Sequence, residues 1–207
     1  MGFFVSVEGP EGAGKTSLVA ALVARLEASG RRVVAVREPG GTPRAELLRD
    51  LVLNRGDVSW TPAAELFLML AARAELVRDV IAPALADEET VVVTDRFDLS
   101  TLAYQVAGRG LHRAAVLAAN DIATQGMRPH LTLVLDVDPA IGRERQRAQG
   151  KEPDRIEGAD AALHARVALE FAKAAGPGVV HVDANRGPAE VETAAWRAVR
   201  DRLDGTD

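Results

Sequence analysis

The sequence predicts an α/β fold in which a five-stranded parallel sheet is covered on both faces by helices. Three observations carry this expectation. Five short runs rich in β-branched residues alternate with stretches of helical spacing along the 207 residues. Runs such as Val91-Val92-Val93 lack polar alternation, as strands buried on both faces do. The first run passes at once into Gly9-Pro10-Glu11-Gly12-Ala13-Gly14-Lys15-Thr16, a glycine-rich loop between a strand and a helix. Strands that alternate with helical stretches imply parallel pairing with right-handed crossovers.

Taken in order, Phe3–Val7 is the first strand and Thr16–Ala28 the first helix, with Gly30 just past its end. Arg32–Val36 is the second strand. Pro43–Leu53 is a helix with Thr42 as N-cap and Pro43 at its first position. Pro62–Leu85 is a long helix, apolar on most faces, that Pro83 should kink or end. The third strand is Thr90–Thr94, followed by a helix over Arg113–Gln125. Leu131–Leu135 is the fourth strand, followed by helices over Pro139–Gln149 and about Ala159–Ala175. Val179–Val182 is the fifth strand and Pro188–Leu203 the closing helix. Gly108–Leu111 and Gly150–Asp154 read as loops. No repeat, low-complexity segment or long linker divides the chain, so one domain over 1–207 is expected.

Composition narrows the function. A net charge of -5 argues against a nucleic-acid polymer as partner, while a small anion in a local basic cleft stays possible. The chain has no cysteine, which removes disulfides, thiolate metal sites and cysteine nucleophiles together. The longest apolar stretch, Leu66 to Ala72, is too short to span a bilayer. The N-terminus enters the first strand without a signal sequence, so a cytoplasmic location with no membrane partner is expected. None of the four histidines sits at metal-ligand spacing, and no serine–histidine or histidine–acid arrangement for nucleophilic catalysis is present.

In a sheet of this kind ligands bind beyond the carboxyl ends of the strands, so the residues leaving each strand carry the chemistry. Gly9, Gly12 and Gly14 let the backbone curl around phosphate oxygens, and the N–H groups through Ala13, Thr16 and Ser17 add the positive end of a helix. Lys15 reaches outer phosphates, and the Thr16 hydroxyl is a Mg²⁺ ligand type. After the second strand, Arg37 is either a bidentate phosphate grip or a surface residue before the Gly40-Gly41 turn. After the third, Asp95 and Arg96 are either a Mg²⁺-orienting carboxylate beside a phosphate clamp or a buried pair that locks the loop. Ser100, Thr101, Tyr104 and Gln105 offer groups that read sugar and base edges, although polar residues also populate any loop–helix junction. The densest basic stretch, Arg143 to Arg155, is broken by Gly150 and Pro153 and reads as a mobile flap over phosphates.

With these residues in view the chain resembles the bacterial thymidylate kinases nearly end to end. The markers are Glu8 to Thr16, Arg37-Glu38-Pro39-Gly40-Gly41-Thr42, Ala71-Ala72-Arg73, Asp95-Arg96-Phe97-x-x-Ser100, Ala103-Tyr104-Gln105, Gly108-Arg109-Gly110, Leu135-Asp136-Val137-x-Pro139 and Asp154-Arg155-Ile156-Glu157. The resemblance implies a P-loop nucleoside monophosphate kinase fold, a homodimer, and ATP- and Mg²⁺-dependent phosphorylation of dTMP. It implies that Lys15 and Thr16 hold ATP phosphates and metal, and that Glu11 faces the acceptor. By the same resemblance Arg37 and Arg96 hold the acceptor phosphate, and Arg73 and Ser100 read thymine. Tyr104 and Gln105 lie by the deoxyribose, and Arg145 packs on adenine beside Asp183–Arg186. One branch of the family carries a catalytic arginine in the phosphate loop at the position of Gly12. This chain resembles the other branch, whose lid, here about residues 143–156, supplies the arginines, and Arg147 and Arg155 are the candidates.

Two departures stand out. Met69 occupies the position where the family usually stacks a phenylalanine on the base, and Gln149 replaces a frequent third lid arginine, with Lys151 nearby. Phe67, two residues from Met69, points to nearly the opposite helix face. Three readings follow: a dTMP kinase, a kinase for another pyrimidine monophosphate such as dUMP, and a nucleotide-binding relative without catalysis. The long helix Pro62–Leu85 is apolar around most of its girth, so it is deeply buried or shared with a second subunit.

Overall fold

The computed structural model describes residues 1–54, 58–148, 150, 154–156 and 158–205. Five strands, β1 (Phe3–Glu8), β2 (Arg32–Arg37), β3 (Thr90–Asp95), β4 (Leu131–Asp136) and β5 (Val179–Asp183), form one parallel sheet in the order β2-β3-β1-β4-β5. Each strand runs one residue further than its apolar pattern. The added residues are Glu8, Arg37, Asp95, Asp136 and Asp183, and several still pair across the ladder: Val7 with Asp95, Arg37 with Asp95, Asp136 with Asp183. Backbone pairing outlasts side-chain burial, so every strand ends on a charge at one edge of the sheet.

Along the central strand the side chains alternate between two cores. Val5 and Val7 pack with Leu22 and Leu26 of α1 (Lys15–Ala28) and with Val199 of α9 (Pro188–Leu203). Phe4 and Val92 pack on the other face with Leu76, Val77, Ile81 and Leu85. Those last four belong to one continuous helical run, α3 (Pro62–Leu76), a widened π turn over Val77–Ile81 and α4 (Ala82–Leu85). Pro83 cannot donate a backbone hydrogen bond, and the wide turn precedes it directly, with the helix ending at Leu85.

Other elements are α2 (Pro43–Arg49, then a π turn over Asp50–Asn54), α6 (Arg113–Thr124), α7 (Pro139–Ala148) and α8 (Ala161–Ala172). Thr42 and Thr61 cap α2 and α3, and Asp160 caps α8. One helix has no counterpart in the sequence reading. α5 (Asp98–Thr101) continues as a π-helical segment over Leu102–Gly108, where a strand exit and a loop were expected. The loop expected at Gly150–Asp154, Gln149 and Lys151 fall largely or wholly outside the described residues. Among the described residues no helix is long and apolar enough to cross a membrane.

This topology places the site. The chain leaves β1 toward the β3 and β2 side and leaves β3 toward the β4 side. Connections diverging from two neighbouring strands open a crevice between the loops that follow them. Those loops are Gly9–Gly14 and Arg96–Phe97.

Candidate active site

A cleft of about 1090 Å³ opens above the β1–β3 junction, large enough for more than one small ligand. Seven cationic side chains border it: Lys15, Arg37, Arg49, Arg73, Arg96, Arg143 and Arg147. A chain of net charge -5 has therefore gathered positive charge at one place, as anion binding requires.

The floor is the glycine-rich loop. Gly14 adopts a left-handed conformation (φ 90°) and caps α1, aiming the first turn's N–H groups outward. Lys15 is 7 % exposed and donates from Nζ to the carbonyl of Pro10 at 2.8 Å, which stitches the loop closed. Burial, together with the nearby Arg96 guanidinium, pulls the Lys15 ammonium down to about 8. Gly9 lies close against Leu135, and Ala13 is buried in the core. Gly12, Gly14, Thr16 and Ser17 border the cleft.

Thr16 donates its hydroxyl to Oδ2 of Asp95 at 2.6 Å. A hydroxyl and a carboxylate side by side on the cleft wall are hard oxygen donors of the kind Mg²⁺ takes, with waters and phosphate oxygens completing its shell. Among the described residues no cluster of three or more acidic, histidine or cysteine side chains could hold a metal ion.

The far wall is built around Arg96, whose backbone is left-handed at φ 74°. That strained conformation is held from several directions. Nη1 donates to the Gly9 carbonyl at 3.1 Å and to Ser100 Oγ at 3.0 Å, and Nη2 to Glu11 Oε1 at 2.5 Å. Tyr104 donates its hydroxyl to the same Glu11 oxygen at 2.7 Å. Burial alone would raise the Glu11 carboxyl, but Arg96, then Lys15 and Tyr104, outweigh it and hold the group down at about 2. Beneath lies Glu8, fully buried. It accepts from the backbone N–H groups of Phe97 and Ser100 at 2.8 and 3.2 Å and from the Ser100 hydroxyl at 2.6 Å. Burial pushes the Glu8 carboxyl up to about 7 against those bonds. Glu8 thus explains the unexpected α5: a carboxylate from β1 binds the N–H groups that open the helix.

Arg73 borders the cleft but every donor is engaged. Nε and Nη2 bind Glu38, Nη1 binds Thr101 and Asn120, and Nη2 also reaches the Phe97 carbonyl. Oε1 of Glu38 is buried without a hydrogen-bond partner, so the floor here holds one unsatisfied acceptor. Met69 and Gln105 border the cleft between Arg73 and Tyr104, while Phe67 is 63 % exposed on the opposite face of α3. Arg37 borders the rim and leans on Glu46 at 3.3 Å.

The basic stretch divides. Arg143, Gln146 and Arg147 of α7 face the cleft. Arg145 is not part of this cleft's lining and donates to the Ala184 carbonyl at 2.8 Å, beside the Asp183–Arg186 turn. Arg155, the other lid candidate, does not border the cleft. Its Nη2 binds Oε2 of Glu65 at 2.6 Å and its Nε binds the Val52 carbonyl at 2.8 Å. Glu65 is 2 % exposed and also takes two bonds from Arg109 and one from Gln105. A buried carboxylate satisfied by two guanidiniums is a costly thing to break, so Arg155 here is an anchor for the end of the lid.

Arg49, Glu8 and Glu65 were missed from sequence. Arg49 borders the cleft and donates to the Pro39 carbonyl at 2.6 Å. Its only sequence signal was its place in the helix that follows the Arg37–Thr42 loop.

A phosphate-binding loop, a second wall of paired arginines and a basic helix over both define a P-loop phosphotransferase of the nucleoside monophosphate kinase class. The comparisons with known proteins agree. A model of the thymidylate kinase family matches residues 7–195. Thymidylate kinase of Cereibacter sphaeroides is 48% identical over 205 residues, covering 96% of this chain and 94% of that protein. Thymidylate kinase of Deinococcus radiodurans is 45% identical over 204 residues, covering 97% and 98%. Thymidylate kinase of Idiomarina loihiensis is 42% identical over 204 residues, covering 98% of each. The chain belongs to the thymidylate kinase family and is an enzyme that handles small nucleotides.

Proposed function

We propose that this single kinase domain transfers the γ-phosphoryl group of ATP to dTMP. A phosphate oxygen of dTMP attacks the γ-phosphorus, the bond to the bridging oxygen of ADP breaks, and ADP and dTDP leave. No covalent enzyme intermediate is needed, so the protein's task is alignment and charge neutralisation. In this reading Lys15 and the loop N–H groups from Gly12 to Ser17 hold the donor phosphates, and Arg145 lies along adenine. Arg96, Arg37 and Arg49 hold the acceptor phosphate. Thr16 and Asp95 would hold Mg²⁺, which when bound supplies positive charge across the donor phosphates. Arg147 and Arg143 bring positive charge from the lid to the transferred group. Glu11 and Tyr104 close the space beside the sugar, which disfavours a 2′-hydroxyl. Met69, Arg73, Ser100 and Gln105 surround the base.

The observation that carries this reading is Arg96. It bonds to the donor loop through Gly9 and Glu11 and to the acceptor wall through Ser100 and Tyr104, so one guanidinium ties two phosphate sites into one cleft. The experiment is a panel of nucleoside monophosphates with ATP, in which dTMP should give the highest kcat/KM. Met69 on the cleft wall favours a second reading, another pyrimidine monophosphate as acceptor. A best substrate such as dUMP would establish that reading in place of the first.

We also infer a homodimer. Phe67 of α3 and Leu117 and Ile122 of α6 are exposed at 63 %, 40 % and 81 %, and α3 packs along α6. Ala114, Ala115 and Ala118 extend the apolar exposure on α6. Light scattering at micromolar concentration should give twice the 22.0 kDa chain mass; a monomer contradicts the inference.

A further inference from the structure

Gly142 sits in the interior of α7, where glycine weakens a helix relative to alanine. Its reason is a close approach. A Cβ built at Gly142 would fall 2.7 Å from the Glu11 carbonyl oxygen. The contact is reciprocal: a Cβ built at Gly12, whose φ is 73°, would fall 2.1 Å from the Gly142 carbonyl oxygen. Both clashes are with backbone, which cannot swing aside as a side chain can. The root of the lid helix and the crest of the phosphate loop therefore meet main chain to main chain, with a glycine on each side of the contact. Directly beyond the contact come Arg143 and, one turn on, Arg147, both bordering the cleft.

We propose that Gly142 is a positioning residue: docked on the Glu11 carbonyl, it fixes the height at which Arg143 and Arg147 overhang the phosphate loop. A side chain at position 12 and this docked helix exclude each other. The phosphate loop carries no side chain at Gly12, and the helix that fills that space brings the guanidiniums. This rests on the phosphoryl-transfer reading above.

The test is Gly142→Ala in the full chain, with Glu144→Ala, an exposed change on the same helix, as control. A methyl at 142 raises the intrinsic helix preference of α7, so a role confined to helix stability predicts an equal or higher melting temperature and unchanged kinetics. Positioning predicts that kcat falls at least tenfold while KM for dTMP stays within twofold and the control stays within twofold of wild type. In a double-mutant cycle, Gly142→Ala should cost little more once Arg147→Ala is present. A kcat within twofold of wild type overturns the proposal, and so do independent effects in the cycle. A Gly142→Ala chain that fails to fold also overturns it, since the contact would then serve folding. Failure of the underlying reading is seen separately, as a wild-type chain that forms no dTDP.

Discussion

The two ends of the lid are attached by opposite means. At its start, Gly142 meets the phosphate loop by steric closeness, with no side chain involved on either strand of the contact. At its end, Arg155 is held by charge, its guanidinium bound to a buried Glu65 and to the Val52 carbonyl. Between them, Arg143 and Arg147 make no ion pair with any described residue. The difference separates arginines by task. A guanidinium whose donors are spent on protein carboxylates holds structure, and one that overhangs the cleft with donors to spare can meet a phosphate. The far wall mixes the two, because Arg96 is both paired with Glu11 and exposed to the cleft.

The sharpest way to break this division is at Arg96. Arg96→Ala removes the proposed acceptor contact and strands the Glu11 carboxylate, and losing one partner of such a pair costs about 2–5 kcal/mol. KM for dTMP should rise by about 100-fold or more, read by steady-state kinetics at saturating ATP. Unchanged acceptor kinetics would remove Arg96 from the site.

The lid arginines come next. Arg147→Ala should lower kcat by about 10²-fold or more, as loss of a transition-state guanidinium does, with the melting temperature unmoved. Arg155→Ala should do the reverse. It removes a charged hydrogen bond of about 1.5–3 kcal/mol and so lowers the melting temperature by several degrees. Glu65→Gln should weaken the same anchor and the Arg109 pair with it, so the double variant with Arg155→Ala should lose less than the sum of the two. Equal loss of kcat from Arg147→Ala and Arg155→Ala, at equal stability, would erase the distinction between the two.

A smaller effect follows from Lys15. Its ammonium titrates at about 8 in the free protein, so it is charged below that pH and neutral above it. The charged form is the one that binds phosphate. kcat/KM for ATP should therefore decline as pH rises through about 8. kcat should stay flatter, because bound phosphate holds the proton on. A kcat/KM profile level to pH 10 would show the ammonium is not the binding form. The smallest expected change is Met69→Phe, which swaps one apolar cleft residue for a larger one and should alter KM for dTMP by less than tenfold.

Local pattern made much of this legible. The phosphate loop, the strand ends and the Arg37–Thr42 and Asp95–Arg96 segments are contiguous, and each carries its own spacing or turn chemistry. What stayed hidden depends on residues far apart in sequence. The helix at Asp98–Gly108 has no clear 3.6-residue period in Ser-Thr-Leu-Ala-Tyr-Gln; it starts where Glu8 offers its carboxylate. Arg155 looked like one more cation of a basic stretch, since its partner Glu65 lies ninety residues earlier. Gly142 lies within a predicted helix, and its contact, the Glu11 carbonyl, is remote in sequence. Arg73 was legible as a cleft residue, but not its full engagement by Glu38, Thr101, Asn120 and Phe97.

The central claim is that one cleft holds donor and acceptor together, tied through Arg96. Calorimetric titration of dTMP into the protein, alone and saturated with a non-hydrolysable ATP analogue and Mg²⁺, tests it directly. Simultaneous binding, one of each per chain, is the predicted result. Displacement of one nucleotide by the other would mean that the cleft holds a single site and would contradict the account.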